Sequence, residues 1–137
     1  MLFLLDTGVV AEFRKPKPQP AAVAWLSALA PDDVAIAAVT VGEIKAAIER
    51  TRRTDAAKAD ELDRWLQGLC GEITVLPADG GVFRIWAKLT TGRPATSFAD
   101  ALVAATALHH GLTVATRQPA SFLPFGVLVA NPFGRSR

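Results

Sequence analysis

Three acidic residues of this sequence, Asp6, Glu43 and Asp100, could do chemistry together, and two of them stand where an acid is poorly accommodated. Asp6 closes the apolar run Leu2-Phe-Leu-Leu5 and is soon followed by Val9-Val10. Asp100 lies among Phe98, Ala99, Ala101, Leu102, Val103, Ala104 and Ala105, in a stretch (97–110) without Lys or Arg. Glu43, in Thr40-Val-Gly-Glu, is better provided for, with Lys45 and Arg50 close by in sequence. An ionised carboxylate in apolar surroundings is costly unless something positive neutralises it. If the three meet, their repulsion raises their pKa values and destabilises the fold. A divalent cation removes the conflict: Mg²⁺ typically takes one or two carboxylates, keeps several waters and completes its shell with substrate phosphate oxygens. The chemistry open to such a set is metal-assisted phosphodiester cleavage, in which the ion activates water, orients the phosphate and stabilises the leaving oxygen.

Each acid also has an ordinary reading. Asp6 can cap a helix that begins near Val9. Thr40-x-x-Glu43 and Ser97-x-x-Asp100 both fit the capping-box pattern, in which Asp reaches back less well than Glu. Zinc is a poor candidate, because His109-His110 at a helix end and the single Cys70 do not make a tetrahedral set. Those histidines read as helix-terminal cations or surface residues. A phosphoacceptor reading with Asp6 as nucleophile lacks an Asp two residues later, where Gly8 stands, and lacks a Lys ending a later strand.

What decides between these readings is whether the chain brings the acids together. The run ending at Leu5 suits a strand buried on both faces. Residues 9–14 read as a short helix broken by Pro16, Pro18 and Pro20, which make a stiff connector. A helix follows at 21–29, a turn at Pro31-Asp32-Asp33, a strand at 34–37 and a helix from Thr40 to about Arg52. Residues 54–69 form the clearest amphipathic helix, with Leu62, Trp65, Leu66 and Leu69 on one face and Gly71 as its stop. A third strand at 73–76, a helix from Asp79 to about Thr90, a Gly92-Arg93-Pro94 turn and a buried helix at 97–110 come next. Gly111, a strand at 113–116 and a fifth at 127–130 complete the chain. Strands separated by helices, without hairpin signals, imply a parallel sheet covered on both faces. Ligands of such sheets bind beyond the carboxyl ends of the strands, and the acids fall there.

The length, 137 residues, suits one domain with a core of its own. A formal net charge of +2 is too small to imply a polyanionic partner by itself. Basic residues gather at Arg14, Lys15 and Lys17, at Arg50, Arg52 and Arg53, and at Arg84, Lys88 and Arg93, where they also read as solvated helix ends. One cysteine permits no internal disulfide, so a reducing compartment is expected. No signal peptide is recognisable, and no apolar run approaches the roughly 20 residues of a membrane span. The expected location is the cytoplasm, with no membrane partner.

Taken in order, Leu4-Leu-Asp6-Thr-Gly-Val-Val10, Ala38-Val-Thr-Val-Gly-Glu43-Ile44 and Phe98-Ala-Asp100-Ala-Leu-Val-Ala-Ala-Thr-Ala-Leu108 resemble PIN-domain ribonucleases. The resemblance is to the VapC toxins of toxin–antitoxin pairs, particularly their FitB-like branch. Leu112-Thr-Val-Ala-Thr-Arg117, Val129-Ala-Asn131-Pro-Phe133 and the Arg14-Lys-Pro-Lys-Pro18 connector extend it over nearly the whole chain. It implies one PIN domain over residues 1–137: a three-layer α/β sandwich with a central, mainly parallel sheet flanked by helices. It implies an endoribonuclease dependent on Mg²⁺ or Mn²⁺, a homodimer, and a VapB-like antitoxin that occludes the site in a hetero-oligomer and alone touches operator DNA. By position, Asp6, Glu43 and Asp100 match the catalytic and metal-binding acids. Thr7, Thr116 and Gln118 take supporting places, and Arg14, Lys15 and Arg117 are candidate contacts for RNA or antitoxin.

Two departures bear on activity. Gly8 replaces the Asn of the usual Asp-Thr-Asn, losing an amide near Asp6 while permitting close backbone approach. Gln118 stands after Thr116-Arg117 where many members carry an acid or Asn, so a second metal should bind weakly or not at all. A slower or metal-hungry nuclease is expected. The alternative is a catalytically weakened PIN protein that serves with its antitoxin as a DNA-binding repressor subunit.

Overall fold

The sheet is built outward from its most apolar strand. In the computed structural model, which describes residues 1–93 and 96–134, β1 (Phe3–Leu5) lies at the centre of five parallel strands. The order is β3 (Thr74–Leu76), β2 (Val34–Ala37), β1, β4 (Thr113–Ala115), β5 (Val129–Ala130). Leu5 pairs with Ile36 on one side and Ala115 on the other. Among the described residues six α-helices join the strands: α1 (Thr7–Glu12), α2 (Pro20–Ser27), α3 (Ala38–Arg52), α4 (Ala56–Glu72), α5 (Gly80–Thr90) and α6 (Phe98–His110).

Successive residues of a strand face opposite ways, so β1 feeds two cores. Leu4 packs with Ala35, Ala37 and Val114 against Ala101, Ala104 and Ala107 of α6. Leu5 packs with Val34 and Ile36 against Val9 and Val10 of α1, Ile44 and Ile48 of α3, and Leu66 of α4. This is the expected parallel sandwich, helices on both faces. Residues 101–107 of α6 are all buried, which explains their apolar run, while Leu108 onward is exposed. Gly111 ends α6 in the left-handed region, φ 68°, the usual place for a C-terminal glycine.

Several boundaries differ from the sequence reading. α1 begins at Thr7, not Val9, so Asp6 itself is its N-cap. α3 begins at Ala38 directly after β2, with Ala37 as N-cap. Thr40 therefore lies inside the helix, fully buried, and the Thr40–Glu43 capping box does not form. α4 runs through Gly71 to Glu72, because one Gly in a helix interior costs only about 1 kcal/mol; the extended backbone of Ile73 ends it. β5 is confined to Val129–Ala130, preceded by two 3₁₀ turns at Pro119–Ser121 and Leu123–Phe125. Gly92 turns with φ 80°; Pro94 of the expected turn lies outside the described residues. Among those residues no helix is long and apolar enough to cross a membrane.

Candidate functional site

β1 is where the strand order reverses, with β2 on one side and β4 on the other. The crevice beyond the carboxyl ends of β1 and β4 is the place such sheets offer a ligand. Asp6 leaves β1 there, its backbone N–H donating to the Ala115 carbonyl at 3.0 Å. Its Oδ1 accepts from the Val9 N–H at 3.1 Å. Asp6 is thus a helix cap, as its ordinary reading had it. A carboxylate has about four acceptor positions, so capping does not exhaust it.

Glu43 lies one turn into α3, on the exposed side of the helix. The Thr7 hydroxyl donates to its Oε1 at 2.5 Å, and the buried Thr40 hydroxyl lies 3.5 Å from the same Thr7 oxygen. Asp100 stands in the first turn of α6, whose N-cap is Ser97: the Asp100 N–H donates to Ser97 Oγ at 3.2 Å. The reciprocal bond from Asp100 back to Ser97 is absent among the described residues, so only half of that capping box forms. The Asp100 carboxylate is left half-buried in the site.

The acids border one pocket of about 320 Å³, lined by Asp6, Thr7, Gly8, Glu43, Asp100, Val103, Thr116, Arg117 and Gln118. Burial pushes the Asp6 carboxyl above its ordinary range; the Thr116 hydroxyl and the Val9 and Gly8 amides pull it back, and Glu43 repels it. Asp100 is raised by burial first, then by the charges of Asp6 and Glu43. Size does not single this pocket out. An apolar hollow of about 360 Å³ lies elsewhere, bounded by Phe13, Leu26, Trp65 and Ile73. What distinguishes the first is its set of oxygen donors, three of them carboxylates, against one cationic side chain, Arg117.

That donor set suits a hard cation and not zinc. Among the described residues no three acid, His or Cys side chains converge closely enough to make a complete cage. An open set of this kind fits an ion that keeps several waters, as Mg²⁺ does. His109 and His110 are exposed at the far end of α6 from Asp100, where the His109 ring lies against Gly81.

The supporting residues fall around the same pocket. Thr116 is fully buried, and its hydroxyl accepts from the Gln118 N–H at 3.0 Å, which sets the turn after β4. The Gln118 side chain is exposed on the rim. Gly8 has no left-handed backbone, and a Cβ there would meet only Asp6 Oδ1, at 3.6 Å. The site therefore has room for a side chain at this position.

The basic residues are partly committed. Arg14 is exposed and borders a neighbouring hollow together with Thr7 and Glu43. Lys15 pairs with Glu12 at 2.9 Å. Arg117 Nη2 lies 3.4 Å from Glu12 Oε1 and 3.3 Å from Gln19 Oε1, with its guanidinium 3.8 Å above the Phe133 ring centre. Glu12, only 4% exposed, was not singled out in the sequence. Its pKa is held below the ordinary range by the Lys15 bond first, then by the Gln19 N–H and the Lys15 and Arg117 charges. The only local signal was an acid ending a short helix before a basic, proline-rich connector.

The chain as a whole is similar to proteins of one known family. The family model described as PIN domain matches residues 3–119. Toxin FitB of Neisseria gonorrhoeae is 35% identical over 139 residues, covering 96% of this chain and 99% of its own length. VapC ribonuclease Y4jK of Sinorhizobium fredii is 33% identical over 140 residues, covering 96% of this chain and 98% of its own. The structure of FitAB bound to an IR36 DNA fragment superposes with a TM-score of 0.82 at 32% identity, covering 99% of each chain.

Proposed function

This chain belongs to the PIN-domain family, and from that premise we propose that it is an endoribonuclease toxin of a toxin–antitoxin pair, cleaving RNA until a cognate VapB-like antitoxin neutralises it. PIN ribonucleases work with a divalent metal ion; here we take the ion to be Mg²⁺ or Mn²⁺. Asp6 and Asp100 hold it, with Glu43 as direct ligand or acting through water. The observation that carries this reading is the meeting of Asp6, Glu43 and Asp100 around one pocket, where the charges acting on Asp100 are those of the other two acids.

When bound, the ion supplies the positive charge and Lewis acidity that phosphodiester hydrolysis requires. The chain's own residues do the positioning. Asp6 is fixed by its cap bond to Val9, and the Thr116 hydroxyl beside it steadies its charge. Thr7 sets the Glu43 carboxylate through one hydrogen bond. Gln118, a neutral amide on the rim, can hold water but adds no charge, so a second ion is weak or absent. Arg14, Lys15 and Arg117 are placed to meet RNA phosphates or acidic side chains of the antitoxin. The working assembly is a homodimer joined by antitoxin in a hetero-oligomer, in the cytoplasm, with operator DNA touched only through the antitoxin.

Expression without the antitoxin tests the reading. The wild-type chain should arrest growth and cleave RNA, and Asp6→Asn should abolish both together. A toxic Asp6→Asn variant would remove the assignment; harmless, soluble wild-type protein would favour a repressor subunit instead.

A further inference from the structure

The acid pocket has a single positive side chain among its lining residues, Arg117, and that charge is directed elsewhere. It is felt at Glu12 and does not figure among the charges acting on Asp100. Arg117 directly follows Thr116, which sits beside Asp6. A guanidinium that turned inward would find carboxylates it could grip in bidentate fashion, and it would occupy the place of the cation. Half-exposed Arg117 is free to turn unless something holds it.

We propose that Glu12 is a positioning residue that keeps Arg117 out of the metal pocket, so that the three acids stay available to a divalent ion. Glu12 is suited to this because it is itself held in place. It is buried, and its two oxygens accept from Lys15 Nζ and from the Gln19 N–H, each at 2.9 Å. Gln19 Oε1 and the Phe133 ring complete the cradle around the guanidinium. The same carboxylate that ties the connector to the end of α1 therefore also holds Arg117, 105 residues on, at the edge of the site.

This rests on the metal-dependent reading of the pocket, and the test separates the two. Mn²⁺ alone is titrated into the full chain, and binding is followed by calorimetry and by loss of the free-ion electron paramagnetic resonance signal, without RNA. Glu12→Gln should weaken Mn²⁺ binding about 10-fold or more, the usual range for residues that support metal ligands. Adding Arg117→Gln to that variant should restore most of the affinity, which a purely structural loss would not allow. Should Glu12→Gln fail to fold, Gln19→Ala, on the surface, should give a smaller loss that Arg117→Gln also reverses. Wild-type binding with Glu12→Gln equal to it, or a double variant no better than the single, overturns the role of Glu12 alone. A wild-type chain that takes up no Mn²⁺ overturns this role and the metal reading together.

Discussion

The Thr7 hydroxyl donates to Glu43 Oε1 at 2.5 Å, joining the first turn of α1 to α3 across 36 residues of sequence. One short bond thereby fixes an exposed glutamate at the mouth of a pocket whose other acids sit on different elements. Thr7→Val keeps the shape and removes the donor. Because Glu43 is exposed, stability should change by no more than about 0.5 kcal/mol. Metal affinity and cleavage should fall about 10-fold, and Thr7→Ser should retain both. Denaturant unfolding and metal titration of the two variants make the comparison.

Asp6 has two roles that substitution can separate. Asn is as good an N-cap as Asp, so Asp6→Asn should unfold no more easily than the wild type without metal, while losing cleavage. Asp6→Ala gives up the cap bond to Val9 as well and should cost about 1 kcal/mol of stability. Equal stabilities for Asn and Ala would mean that the cap contributes little.

Asp6 and Asp100 both have carboxyl pKa values raised in the folded chain, chiefly by burial. The native state then binds protons more tightly than the unfolded chain. Their contribution to stability is full below the unfolded value, 3.8, and is lost as pH rises through the raised folded values. Glu12 acts in the opposite sense, since its pKa is lowered, and its contribution is lost as pH falls. A divalent cation relieves only the first effect. The rise in unfolding temperature produced by Mg²⁺ should therefore grow from about pH 4 to about pH 8. Thermal unfolding with and without Mg²⁺ reads this directly, and a shift independent of pH would count against a carboxylate site.

Gly8 is open to substitution. Asn is a better helix residue than Gly, so Gly8→Asn should stabilise the chain by about 0.3 kcal/mol. Its amide, built next to Asp6 Oδ1, should raise cleavage at limiting metal. Rates at low and saturating Mg²⁺ decide whether the missing amide is what slows this chain; an unchanged rate at low Mg²⁺ would show that it is not.

The sequence carried most of the fold because its signals are local. The run Leu2 to Leu5 reads as a doubly buried strand, and its Phe3–Leu5 portion is the centre of the sheet, while Leu2 lies before the strand and is exposed; the alanine-rich run after Asp100 reads as a buried helix and packs on Leu4. The start of α3 was hidden because Ala37 caps it without a side-chain bond, while Thr40-x-x-Glu43 offered a false signal. The ordinary and functional readings of Asp6 were never exclusive, since one oxygen caps α1 while the residue lines the pocket. The bonds that hold the site were not legible at all. Thr7 to Glu43 and Arg117 to Glu12 are long-range pairs, made by the parallel crossovers and unmarked in any local pattern.

The central claim, that Asp6, Glu43 and Asp100 act together as one cation-holding pocket, is tested most directly by Mn²⁺ binding to the full chain and to Asp100→Asn, with RNA cleavage measured on the same samples. The account predicts about one ion per wild-type chain, with binding weakened on the order of 100-fold in Asp100→Asn and cleavage lost with it. Undiminished Mn²⁺ binding by Asp100→Asn, or wild-type cleavage that persists in a chelator, would contradict it.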